Sequence, residues 1–306
     1  MRFTKKMKKL FIFSAVLAFI GIILCTVGVI LSVKNDNELF SQTQNGAGQY
    51  VFEYEFDASQ IKKISLELSY ADVNIFISNG VGKLEMINYP LDVFGMTVGA
   101  TTVSVKEKSA LGNLISFNFD GFRNYFNSIK MALKMRTVNI YLPSASALKL
   151  LDIDLYSGDI KIEHQSLESD FEIDLEYGSV YMDDVVSTGG FEINIAEGNL
   201  NISSSEISKG RAQLKYGFAD IYSSKVTELD AEIAKGYFKY GYSGNDLLSS
   251  VIRLKTDSGR VRFGSDIYEN GSFLQGMEYT GASGVVQSKI KVHVAEGNIM
   301  ITEQGK

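Results

Sequence analysis

Apolar and polar positions alternate along most of this chain, and the alternation is punctuated by a glycine followed by a small polar residue. LDIDLYSGDIKI (151–162) returns as FEIDLEYGSVYM (171–182) and again as FEINIAEGNLNI (191–202). A period of two marks strands with one face buried. Gly158, Gly178 and Gly198 stand 20 residues apart, and a fixed period of that size is the mark of a solenoid whose repeats are stacked coils. In the first copy Leu151, Ile153 and Leu155 share one face and Asp152 and Asp154 the other; past the glycine, Ile160 and Ile162 point inward and Lys161 outward. Two strands per ~20 residues, paired in parallel with their equivalents in the next coil, would bury that apolar row. An antiparallel sandwich is the competing architecture, because it also uses short strands and frequent turns.

Copies extend on both sides of the central three. ISLELSYADVNIFI (64–77) fits with Ala71 in the glycine place, and LKYGFADIY (214–222) with Ala219 there and Asp220 after it. Gly236, Gly259 and Gly297 punctuate the later copies. These glycines, with Gly158, Gly178 and Gly198, are the expected coil corners, where a positive φ or a close backbone approach excludes a side chain. Asp159, Ser179, Asn199, Asp220 and Asn298 are expected to bond local backbone there. VFEYEF (51–56) opens the ordered domain, and plainer strands are expected near 83–88 and 101–106.

The first long departure from alternation is hydrophobic. Residues 10–33 carry no charge, and at ~1.5 Å per residue they span roughly 36 Å, enough to cross a bilayer. Arg2, Lys5, Lys6, Lys8 and Lys9 precede this run. The positive-inside rule then leaves residues 1–9 in the cytoplasm and places the rest outside, in a single-pass cell-membrane protein. Cleavage as a signal peptide and lipoprotein anchoring through Cys25 are the rival readings. Residues 34–49 read as a polar, flexible stalk, and 50–302 as the extracytoplasmic domain. A second departure, 111–135, sets Phe122, Tyr125, Phe126, Ile129 and Leu133 on one helical face and Arg123, Lys130 and Lys134 opposite. This helical insertion either covers the coils or meets a membrane surface or partner.

The YLP strand end at Tyr141–Pro143, the spacer with Leu148 and the SGDI-type repeat together resemble the DUF4097 family of bacterial envelope proteins. The resemblance covers roughly 66–301, less well over 111–135. It implies a β-strand-repeat domain, often behind a membrane anchor, with an adhesin role, and it brings no catalytic residues.

Composition narrows the chemistry. The formal charge is −6, and without the five N-terminal cations the remainder carries −11, which disfavours nucleic acid as a partner. One cysteine allows neither a disulfide framework nor a cysteine metal site. His164 and His293 are the only histidines, and no G-x-S-x-G or phosphate loop is present. Stacked in register, Asp152, Glu172 and Glu192 form one acidic column and Asp154 and Asp174 another. Gln213, Lys215, Arg253, Lys255 and Lys291 occupy corresponding later positions, so the stack is expected to be electrically polarised along its length. Tyr222, Tyr237, Tyr240 and Tyr242 form a candidate recognition surface for sugar rings or a protein. The expected function is a non-catalytic, membrane-anchored envelope binding or scaffold protein without a cofactor, engaging wall polymer, glycan or an envelope protein. An envelope-sensing accessory is the alternative, followed by a polysaccharide-active enzyme.

Overall fold

The computed structural model describes residues 42–44, 50–78, 80–89, 94–107, 136–143, 148–168, 170–242, 246–264, 266–269, 277–283 and 286–303. The expected anchor at 10–33 and insertion helix at 111–135 lie outside these residues, as does the stalk apart from the strand Gln42–Gln44. The chain divides into two compact units, Met1–Thr43 and Gln44–Lys306, and every strand from Tyr50 onward belongs to the second. Among the described residues no helix is long and apolar enough to cross a membrane. The protein is all-β there, with one 3₁₀ turn at Asp246–Ser249.

Each coil consists of an upstream strand, a glycine corner and a downstream strand, and successive coils pair in parallel. Ile153, Ile173 and Ile193 are in register on the upstream side, and Ile162, Met182 and Ile202 on the downstream side. All six side chains are buried, because alternation sends one set of positions from both strands into the space between them. Phe171 stacks on Phe191 with ring centroids 5.5 Å apart. A short third side completes the coil: the N–H groups of Val186, Glu206 and Lys225 donate to the carbonyls of Gln165, Val185 and Ser205, each at 2.8 Å.

The corner glycines form one ladder. Their φ values run from 138° to 157°, a region costly for side-chain-bearing residues. The stronger constraint is contact. A Cβ added to Gly198 would lie 1.5 Å from the carbonyl oxygen of Gly178, and one on Gly217 would lie 1.6 Å from that of Gly198. Gly217 therefore holds the corner, not Ala219, which is fully buried in register with Leu200 and Phe238. The 20-residue spacing drops to 19 here because Thr188 and Gly189 oppose the single Ser208, whose hydroxyl donates to both of their carbonyls. Ala71 is the first rung. Its carbonyl oxygen would lie 1.8 Å from a Cβ on Gly158, so the ladder begins on an alanine and needs glycine only from the second rung.

The small polar residue after the corner bonds the next coil, not its own turn. Asp72, Asp159, Asn199 and Asn298 accept from the backbone N–H of Asp159, Ser179, Phe218 and Arg260, at 2.9–3.2 Å. Asp220 lies two positions further along, paired with Asn201. A second corner, unmarked by glycine, places His164, Asp184, Ser204 and Ser223 at φ 50–53°.

Spatial order departs from chain order at both ends. The last strand, Ser288–Glu303, inserts between Lys225–Tyr242 and the 250–263 coil, parallel to both. The 63–78 coil likewise lies between the 150–163 coil and the outermost pair Thr102–Glu107 and Thr137–Pro143. Antiparallel strands finish the edges: Phe94–Val98 and Gly82–Ile87 at one end, Met277–Thr280 and Asp266–Glu269 at the other. The two plainer strands of the sequence reading thus lie on different sides of the stack and do not pair with each other. Such reversals protect open sheet edges from further pairing.

Two outcomes are expected. Gly198→Ala should cost about 3–5 kcal/mol, through strained φ and the carbonyl clash, whereas Gly99→Ala, whose nearest contact would be 3.8 Å, should be near neutral; urea unfolding of both variants measures the difference. Deleting 286–306 exposes the edges of two coils at once, so limited proteolysis should degrade the 246–283 region faster than 150–222.

Candidate functional site

Outward residues of the upstream strands line a groove that crosses the coils, with a volume of about 820 Å³. Its rungs, one per coil, are Glu67, Asp154, Asp174, Asn194, Gln213, Glu232 and His293. Parallel pairing spaces such rungs ~4.8 Å apart. Tyr156 and Glu176 stand beside the acidic end, and Lys215 beyond it.

The two carboxylate columns differ in their neutralisation. In the column beginning at Asp152, Lys63 meets Asp152 at 2.8 Å, Arg211 meets Glu192 at 3.6 Å and Lys291 meets Asp230 at 2.9 Å. Insertion of the last strand creates the Lys291 pair. Arg253 bonds Glu278 and Lys255 bonds Asp257. The basic end expected from the sequence is therefore largely neutralised: Lys291 by Asp230 of the adjoining coil, Arg253 by Glu278 of an antiparallel edge strand and Lys255 by Asp257 two residues along its own strand.

The groove column is less compensated. Lys106 pairs with Glu67, and Asn194 donates to Asp174 at 2.8 Å. Among the described residues Asp154 has no cation within ion-pair distance. Partial burial, then the charges of Asp174, Glu67 and Asp152, push its carboxyl above the ordinary range despite the opposing pull of Lys106. At the far end His293 bonds Asp257 at 2.9 Å, whose carboxyl is held low by hydrogen bonds from Lys255 and then His293. His164 bonds the exposed Asp184, which raises its imidazole. Among the described residues no group of three or more His, Cys, Asp or Glu is placed to hold a metal ion.

The aromatic surface differs from the sequence expectation. Tyr240 and Tyr242 are only 4% and 8% exposed, because they occupy inward or terminal positions of the downstream strand. They are removed from the recognition surface. Tyr222 and Tyr237 are 47% and 42% exposed, but they stand at opposite ends of their strands. Tyr237 stacks on Phe218 at 4.8 Å with nearly parallel rings. The contiguous exposed cluster is instead Tyr70, Tyr156 and Tyr177, packed edge to face at 5.6 and 5.3 Å. Tyr156, then Glu197, pushes the Tyr177 phenol upward. Its sequence signal was a tyrosine one or two residues before the corner in three stacked coils, of which 63–78 is not a chain neighbour of the other two.

The groove begins beside a well-anchored base. Arg136 meets Glu107 at 2.7 Å with both side chains 11% exposed, and Glu107 also accepts from the N–H of Ser69 at 2.7 Å. The Arg136 guanidinium lies over the Tyr89 ring, 5.3 Å from its centroid.

Ionising Asp154 works against folding. Because its folded-state carboxyl binds protons more strongly than the unfolded one, stability falls as pH rises from the ordinary carboxylate value through the raised one. Asp154→Asn should therefore raise Tm at pH 7 by a small amount, on the order of 1 °C given its exposure. It should also flatten the change in Tm between pH 4 and 7. Calorimetry at several pH values measures both.

A family model described as Toastrack DUF4097 matches residues 61–304, which contain the groove and all but the first of the domain's strands. Among solved structures, a candidate adhesin from Bacteroides fragilis is similar at 11% identity, covering 82% of this chain and 96% of that one, with a TM-score of 0.41. A candidate cell adhesion protein from Clostridium sporogenes has 13% identity, coverage of 84% and 100%, and a TM-score of 0.33. A candidate adhesin from Parabacteroides merdae has 11% identity, coverage of 85% and 98%, and a TM-score of 0.34. No curated protein matches the chain. The extent of the family match, over a repeat whose residues form the corners and rungs described above, places this chain in the Toastrack DUF4097 family.

Proposed function

We propose that the protein is a non-catalytic, single-pass membrane protein of the bacterial envelope, displaying its β-solenoid domain outside the cell as an adhesin-like binding and scaffold module. The observation that carries this reading is the groove. It is a row of outward side chains repeated coil after coil, with Tyr156 beside its acidic end and the exposed Tyr70 and Tyr177 packed on that ring. Stacked repeats of this kind supply extended binding faces, and aromatic side chains supply contact area at little entropic cost. Family membership supports the same reading. The uncharged run at 10–33 behind five basic residues supports a signal anchor with the N-terminus in the cytoplasm.

The reading has a direct test in intact cells. Added protease should release a fragment spanning the region after residue 34, the remainder should resist alkaline extraction from membranes, and the purified protein should bind isolated envelope material. Binding should fall several-fold in Tyr156→Ala. Altered envelope-stress transcription on deletion, with no binding by the purified protein, would replace this reading with a sensing one.

A further inference from the structure

We propose that the groove is the docking track for a linear glycan carrying free amino groups. The inference rests on the envelope-binding reading and names the chemistry of its partner. Charge complementarity is the first argument. Asp154 has no cation within ion-pair distance among the described residues, and Asp174 has only the Asn194 amide. In the neighbouring column, by contrast, three of the four carboxylates, Asp152, Glu192 and Asp230, each meet a Lys or Arg, and Glu172 does not. The groove therefore presents negative charge that the fold leaves unneutralised, which suits ammonium groups.

The rings beside it identify the rest of the ligand. Tyr156 lines the groove beside the acidic rungs, and the exposed Tyr70 and Tyr177 pack edge to face on it. A sugar ring can lay its C–H face on such rings, and an ammonium group gains further from their π-faces. Asn194 and Gln213 follow as neutral amides suited to hydroxyl groups. From Glu67 to His293 the track is roughly 29 Å long at ~4.8 Å per rung, room for an oligosaccharide rather than a single sugar.

A basic peptide fits less well. An extended strand repeats its same-side residues every ~6.6 Å, out of step with the rungs. The groove also lies on a sheet face whose backbone groups are engaged by neighbouring coils, so it offers no free edge for strand addition.

The test uses the full chain in detergent micelles, titrated calorimetrically with a glucosamine hexamer, an N-acetylglucosamine hexamer and hexalysine, at low and at physiological salt. The glucosamine hexamer should bind, with affinity falling as salt rises, and the acetylated hexamer should bind at least tenfold more weakly. The double variant Asp154→Asn, Asp174→Asn should lose at least tenfold in affinity and most of the salt dependence. Its melting temperature should not fall, since the change removes like-charge repulsion. Tyr156→Ala should weaken binding several-fold and Tyr237→Ala should not. Equal binding of both hexamers, equal binding by the wild type and a folded double variant, or hexalysine binding as tight as that of the glucosamine hexamer would each overturn the proposal. If the glucosamine hexamer fails while isolated envelope material still binds, only this inference falls; if both fail, the envelope-binding reading falls with it.

Discussion

From the 63–78 coil to the 250–263 coil, neighbours in the stack meet through a backbone approach that tolerates no side chain. At the corner, the place a side chain would take on each glycine is filled by the carbonyl of the neighbouring rung, from Ala71 against Gly158 to Gly297 against Gly259. That contact keeps the bend of each coil over the bend of its neighbour, so upstream and downstream strands pair at the same register on both sides of it. In-register core columns such as Ile153–Ile173–Ile193, the inter-coil bonds from Asp159 and Asn199, and the groove rungs all follow from that alignment. A one-residue slip would turn each apolar row outward. Where the chain loses a residue, between Ser187 and Lys209, the loss is absorbed at the third side and the glycines stay aligned.

Stacking by itself would leave an open edge at either end, and the fold solves this twice with the same device. The segment nearest each end of the domain that carries a full coil, 63–78 or 288–303, occupies the second position in the stack, and a segment from further inside the chain covers it. Antiparallel strands then finish each edge. Freeing Ser288–Glu303 requires breaking two parallel ladders on each side of the corner, so fraying from the terminus, the ordinary weak point of a repeat protein, is opposed. The arrangement makes the end contacts long-range, between residues about 60 positions apart for Lys291 and Asp230. Such contacts carry the chain-entropy cost of closing the intervening loop.

The central coils were legible because alternation, glycine and period all agreed there. Gly217 was not, because Ala219 supplied a plausible small residue and a 20-residue ruler cannot reveal a 19-residue coil. The second corner escaped because His164, Asp184, Ser204 and Ser223 adopt the left-handed region through polar residue types that the sequence also uses elsewhere. Tyr240 and Tyr242 resemble surface residues in the sequence because alternation of aromatics alone does not fix which parity faces inward. Strand order was the largest gap. Nothing local in IKVHVAEGNIMI states that it belongs between two earlier coils, and the Lys291–Asp230 pair follows from that placement.

Charge then separates scaffold from surface. Like charges one rung apart destabilise a sheet by a fraction of a kcal/mol per pair, and the Asp152 column relieves this with Lys63 at its start and with alternating signs from Glu192 through Arg211 and Asp230 to Lys291. The groove column does not, although Asn at position 194 shows that an uncharged rung fits the same backbone. The rungs are exposed, so their ionisation leaves the packing of Ile153, Ile173 and Ile193 beneath them unchanged. Glycine corners and apolar columns supply the stability, and that independence leaves the outward residues at Asp154, Tyr156 and Asp174 free to be set by what they touch rather than by what holds the coils together.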